Sequence, residues 1–176
     1  MNNTDEKQSI LIADDNPINL KMLSDNFSSY GYEIRVAMDG KATLDSALAL
    51  PPDLILLDIH MPIMDGYEAC RILKKNPKTQ DIPIIFVSAL DEQFNKVKGF
   101  ELGAVDYITK PIQLEEAKSR IEIHLLLKKK IQELEKFNRI MVDREMRIIV
   151  LKKEVNKLSK QLKKEAPYPE IWEADT

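Results

Sequence analysis

The chain has 176 residues, 44% of them hydrophobic, with two histidines and one cysteine. That suits one globular domain plus an additional segment. Its apolar runs, such as Ile84–Val87, fall far short of the ~20 residues that cross a bilayer. One cysteine excludes an internal disulfide, and two histidines with one cysteine do not build a usual zinc site, so any metal is expected to be a hard cation held by carboxylates. The polar start, residues 1–8, carries no export signal, and a cytoplasmic location is the expectation. The formal net charge of -3 hides a segregation: 13 Lys/Arg face 5 Asp/Glu between Lys128 and Lys164, whereas 13 face 24 elsewhere. Two parts with surfaces of opposite sign imply two jobs.

In chain order, Ser9–Ala13 reads as a strand. Asp14-Asp15-Asn16-Pro17 then caps a helix over Pro17–Tyr30 that would bury Ile18, Met22, Leu23 and Phe27 and end at Gly31. Glu33–Ala37 reads as a second strand, followed by helical spacing over Lys41–Leu50 with Ala42, Leu44, Ala47 and Leu48. Pro51-Pro52 forces an extended approach to Leu54–Asp58, a continuous apolar run of the kind that marks a fully buried parallel strand. Tyr67–Asn76 is helical in pattern, with Ala69, Ile72 and Leu73 inward and Cys70 as packing. Ile82–Ser88 is the fourth strand. Glu92–Leu102, with Phe94, Val97, Phe100 and Leu102, is a helix ended by Gly103, and Tyr107–Thr109 is the fifth strand. Strands alternating with helices imply βαβ units, a parallel sheet and helices on both faces.

After Pro111 no Gly or Pro appears until Pro167. Leu114–Lys164 would extend about 75 Å as a single helix. Leu127, Leu134, Met141, Ile148, Val155 and Leu162 recur every seven residues. Ile123, Phe137, Leu151 and Leu158 fill the companion positions, with Lys130 and Arg144 as polar exceptions. This is an interrupted coiled-coil seam. A helix with such a stripe seeks a partner; a parallel homodimer is the first expectation, with another protein's helix as an alternative. Parallel pairing offers no salt bridge: Glu133 meets Asn138, Ile140 meets Glu145, Glu154 meets Ser159, and Arg147 meets Lys152 repulsively. Antiparallel pairing stays open. Basic residues spread along the apolar register, rather than ahead of it, argue against a leucine-zipper DNA binder. From Ala166 the chain leaves the helix. The expected organisation is therefore a tail at 1–8, a globular domain at 9–125, a coiled-coil helix at 126–165 continuous with the domain's last helix, and an irregular tail at 166–176.

The chemistry lies at the strand ends. In an open parallel sheet, ligands bind at the carboxyl ends of the strands. There the first strand delivers Asp14-Asp15, the third Asp58, the fourth Ser88, and the fifth leads into Lys110-Pro111. At ~4 Å and an effective dielectric near 20, each pair of carboxylates repels by about 4 kcal/mol. A divalent cation relieves this, and oxygen ligands suit Mg²⁺. Ser88 and Lys110 add a demand for an anion. A phosphoryl group meets it, with a carboxylate as nucleophile.

Asp14-Asp15, Asp58, "MPIMDG", Ser88-Ala89 and "GAVDYITKP" together resemble the receiver domain of two-component response regulators, over about residues 8 to 125. The resemblance implies a flavodoxin-like α/β fold, a doubly wound five-stranded parallel sheet in the order 2-1-3-4-5. It implies Asp58 as phosphoacceptor, with Mg²⁺ held by Asp14, Asp15, Asp58 and the backbone carbonyl of His60. Lys110 would contact the phosphoryl group, Ala89 would offer it a backbone contact, and Ser88 and Tyr107 would form the switch. The Lys110–Pro111 peptide would be cis. His60 and Leu90 would influence how fast water removes the phosphoryl group. The donor would be a sensor histidine kinase, a phosphotransfer protein or a small acyl phosphate, and the output a coiled coil rather than DNA, without enzyme activity beyond self-phosphorylation and autodephosphorylation. Two alternatives compete. One is a receiver-fold scaffold that is never phosphorylated. The other is a Mg²⁺-dependent phosphatase of the haloacid dehalogenase type, disfavoured because its Asp-x-Asp pattern is absent after the first strand. His124, near the seam, is expected to be structural.

Overall fold

The structure is a computed structural model and describes residues 7–88, 99–162 and 164–168. It divides into two units, Met1–Lys128 and Lys129–Thr176.

The first unit is built on a parallel five-stranded sheet in the order β2-β1-β3-β4-β5. The strands are β1 (Ser9–Ala13), β2 (Glu33–Ala37), β3 (Leu54–Asp58), β4 (Ile84–Ser88) and β5 (Asp106–Thr109). The helices between them are α1 (Pro17–Ser29), α2 (Gly40–Ala49) and α3 (Gly66–Lys75), and α4 (Leu114–Gln161) comes after β5. Residues 99–101 are also helical, while residues 92–98 of the expected Glu92–Leu102 helix lie outside the described residues. β4 begins two residues later than the apolar run: Pro83 has no N–H to give a ladder, and Ile82 N–H bonds back to Thr79.

Every residue of β3 and β4 is buried, as central strands covered on both faces must be. On one face, Leu11, Ile55, Leu57 and Phe86 pack with Leu44, Ala47, Ala69, Cys70 and Leu73 from α2 and α3. On the other, Ile10, Ile12, Leu56 and Ile85 pack with Leu20, Leu23 and Phe27 from α1 and with Ala117, Ile121 and Leu125 from the start of α4. The expectation that Ile18 is buried is corrected by the structure. Ile18 is 76% exposed, and Leu20 takes the inward place. Asn16 caps α1 and Pro17 opens it, which sets the buried stripe at Leu20, Leu23 and Phe27, and Ile18 falls on the outer side. Phe100, expected on an apolar face, is 53% exposed and meets Tyr107 edge-on.

In the second unit, the α4 residues carry an exposed apolar stripe that includes Leu134, Phe137, Met141, Ile148, Leu151 and Leu158. Past Gln161 the chain turns back. Asn156 donates from Nδ2 to the Tyr168 carbonyl at 2.9 Å and accepts the Tyr168 N–H at 3.2 Å. Lys152 Nζ lies 5.4 Å from the centre of the Tyr168 ring.

Candidate functional site at the carboxyl rim of the sheet

Strand register assembles the site. Ala13 pairs with Leu57, so Asp14 and Asp58, the next residues along, reach the rim of the sheet side by side. Asp58 pairs with Val87 and Ser88 pairs with Thr109, which brings Ser88 and Lys110 to the same edge. Asp14 and Asp58 are almost fully buried, 2% and 3% exposed, whereas Asp15 is exposed. One carboxylate oxygen from each of Asp14, Asp15 and Asp58 lies within 4.8 Å of the others, a group able to hold a metal ion.

Lys110 brings a cation to the rim. Its Nζ sits 2.6 Å from Asp58 Oδ2 and 3.0 Å from Asp14 Oδ2, and the Lys110–Pro111 peptide bond is cis. Burial pulls the Lys110 ammonium down, but the two carboxylates overcome this and its pKa ends above the ordinary value. Asp58 goes up as well. Burial outweighs the hydrogen bond and charge of Lys110, and the Asp14 charge adds to the rise. A carboxyl raised despite a lysine in contact marks deep burial first, with the neighbouring Asp14 charge adding to it.

Asp14 is oriented by groups that sequence patterns alone did not single out. Asn19 Nδ2 donates to both of its oxygens at 3.2 and 3.1 Å, and the Asn16 N–H donates to Oδ1 at 2.8 Å. The available signal was an asparagine in the first turn of the helix that opens beside Asp14. The Ser88 hydroxyl is buried and has no hydrogen-bond partner among the described residues. A buried hydroxyl left unpaired costs roughly 1–3 kcal/mol, and such a group at a rim is suited to an incoming acceptor. His60 is exposed, and its N–H faces Asp58 Oδ1 at 3.4 Å. Tyr107 is 5% exposed and stacks 5.4 Å from Phe86. Its hydroxyl lies where a Cβ on Gly99 would stand. Ala89 and Leu90 lie outside the described residues.

The loop after β3 is held tightly. A Cβ on Gly66 would overlap the Asp58 carbonyl oxygen, so only glycine lets α3 begin that close to the end of β3. Ile63 sits at φ +67°, a left-handed conformation strained for a β-branched residue. Met64 N–H bonds to the Pro62 carbonyl across it at 2.7 Å, while the Met64 carbonyl accepts the Gly40 N–H at 3.1 Å.

At the opposite end of the sheet, Asp106 opens β5. Arg120 Nη1 lies 2.7 and 2.8 Å from its two carboxylate oxygens, and His124 Nε2 lies 3.2 Å from Oδ2. Burial opposes the charge of Asp106, but these partners and the Tyr107 N–H hold its carboxyl below the ordinary value.

A doubly wound sheet in this order, with three carboxylates, a lysine and a hydroxyl without a partner among the described residues on its carboxyl rim, defines a class of α/β domain suited to holding a cation beside an anion. The chain belongs to the response regulator receiver domain family, whose pattern matches residues 10–122, and it is thereby a receiver of two-component signalling. It is 45% identical over 116 residues to a probable cyclic di-GMP phosphodiesterase of Vibrio cholerae, covering 66% of this chain and 26% of that protein. It is 37% identical over 132 residues to the DNA-binding dual master transcriptional regulator RpaA of Synechocystis, covering 75% of this chain and 55% of that one. Among solved structures, the receiver domain of the Francisella response regulator 1452 matches with a TM-score of 0.63 and 34% identity, over 68% of this chain and 97% of that one. The chain thus spans between a quarter and about half of these two curated relatives.

Proposed function

We propose that Asp58 accepts a phosphoryl group from a sensor histidine kinase, a phosphotransfer protein or a small acyl phosphate. One observation carries this reading: Lys110 bridges two buried carboxylates at a rim where the Ser88 hydroxyl has no partner among the described residues. The Asp58 carboxylate is the nucleophile, and phosphorylation adds about -1.5 to -2 charge. Lys110 then turns from carboxylate to phosphoryl oxygens. Ser88 donates its hydroxyl hydrogen, and the Ala89 N–H gives a second contact. Asp14, Asp15, Asp58 and the His60 carbonyl would hold Mg²⁺, which when bound neutralises oxygen charge around the phosphorus. Asn19 keeps Asp14 aimed at that position.

Ser88 and Tyr107 form the switch in this reading. Chemistry at Asp58 is confined to self-phosphorylation and autodephosphorylation, in the cytoplasm. The output is helix pairing through α4. The two named relatives differ in output, one DNA-binding and one a phosphodiesterase by name, so a receiver does not by itself dictate an output. Support for pairing comes from the exposed apolar stripe of α4. Mass measurement after incubation with acetyl phosphate and Mg²⁺ tests the acceptor. One added phosphoryl group is expected on the wild type and none on Asp58→Asn, while sustained turnover of a phosphate monoester would favour a phosphatase. Comparison of the dimerisation constant with and without beryllofluoride and Mg²⁺ tests the coupling, and equal constants would remove it.

A further inference from the structure

The proposed pairing through α4 leaves its orientation open, and the charges beside the stripe bear on it. In a parallel, in-register pair, Arg144 faces Arg144 of the second copy across the core, Lys130 faces Lys130, and Arg147 meets Lys152 on the flank. Burying like charges against each other is expensive. An antiparallel second copy removes all three conflicts in one register. There Ile148 lies opposite Leu151 of the second copy, Met141 opposite Leu158, and Phe137 opposite Leu162. Arg144 meets Val155, whose apolar surface its methylenes can cover. Lys130 falls outside the overlap.

The flanks favour the same register. Its nearest cross-helix neighbours are Arg147 with Glu154 and Glu145 with Lys152, each occurring twice by symmetry, so four unlike pairs line the seam. Sliding by one heptad one way sets Arg147 against Arg147 and Glu145 against Glu145. Sliding the other way sets Glu154 against Glu154 and Lys152 against Lys152. The apolar residues concerned are exposed: Ile148 by 41%, Leu151 by 60% and Leu158 by 52%. The returning chain seats Tyr168 at Asn156 and Lys152, beside the stripe rather than on it.

We propose that residues 137–162 of α4 pair antiparallel with the same segment of a second copy, with Ile148 against Leu151. The seam makes the contact and the flanking charges select direction and register. This rests on the helix-pairing reading above, and the test separates the two. Full-length Ile148→Cys and Leu151→Cys variants are oxidised singly and as a mixture, with the wild type, whose Cys70 is buried, as control. The mixture is expected to give a disulfide joining 148 to 151, and each single variant to give little. A strong 148-to-148 disulfide would overturn the antiparallel arrangement while leaving pairing intact. A chain that sediments as a monomer at all concentrations would overturn both.

Charge reversal supplies a second readout. Arg147→Glu is expected to raise the dimer dissociation constant about tenfold, since it turns two unlike pairs into like pairs, and Arg147→Glu with Glu154→Arg to restore it. In a parallel dimer Arg147→Glu would tighten association, so tightening overturns the proposal. Both positions lie on an exposed helix face, and unchanged helical circular dichroism confirms that the variants fold.

Discussion

Asp58 and Asp106 are carboxylates on the same sheet, each touched by a cation, yet their pKa values move in opposite directions. Asp106 has Arg120 in two-oxygen contact and His124 beside it, and ends below its ordinary value. Asp58 is more deeply buried, shares Lys110 with Asp14, and ends above it. One end of the sheet is neutralised and serves stability. The other holds more negative charge than its lysine answers, and that surplus is what a divalent cation and a phosphorus centre can use. Deeper burial of Asp58, with a lysine it shares with Asp14, separates it from Asp106, whose partners outweigh a lesser burial.

The largest expected break in this contrast is Asp58→Asn, which should abolish phosphoryl uptake by mass while raising the unfolding free energy at neutral pH by about 1–2 kcal/mol. Lower stability with uptake retained would mean that the rim is a structural ion pair. Next, Mg²⁺ at ~100 times its dissociation constant should stabilise the protein by about 2.7 kcal/mol. Thermal unfolding should show this gain sharply reduced in Asp15→Asn and unchanged in Asp106→Asn.

The third expectation uses pH. The raised pKa of Asp58 gives a contribution present below its unfolded value and lost as pH rises through the folded one. The depressed pKa of Asp106 gives the reverse: stability present above the unfolded value and lost as pH falls through the folded one. Asp106→Asn should therefore cost about 1 kcal/mol at pH 7, a modest figure because the pair is partly exposed. The difference from wild type should shrink under acid, and denaturant titrations from pH 7 to pH 3 would show it. The smallest effect is Ser88→Ala. Removing a buried hydroxyl that has no partner among the described residues should leave stability equal or raise it by up to about 1 kcal/mol, while the phosphorylated form is altered in lifetime.

Much of this was legible beforehand because buried parallel strands are plain runs. Leu54–Leu57 and Ile84–Val87 announce both their own ends and the residues just beyond them, and the strand order matches the expected one. The glycines were less readable. "MDG" signals only a turn, whereas Gly66 is needed because an added Cβ would overlap the Asp58 carbonyl oxygen, and Gly99 because Tyr107 occupies its side-chain space. Asp106, Arg120 and His124 meet across a strand-to-helix connection, at separations that no local pattern marks. Ile63 contradicts its own preference, since a β-branched residue at positive φ is what local reasoning excludes. Ile18 misled because its apolarity grouped it with Leu23 and Phe27, although helical spacing sets it on the far side of the helix from Phe27.

The grip of Gly40 on the Met64 carbonyl carries a consequence for genetics. Gly40 opens α2 and forms no part of the metal or phosphoryl chemistry, yet a methyl group there would collide with the backbone that steadies the strained Ile63 turn behind Asp58. A Gly40→Ala allele should behave like an active-site lesion in a signalling screen while every acidic and basic side chain stays in place. Loss-of-function alleles in this protein should therefore cluster on a mechanical support as well as on the reagents.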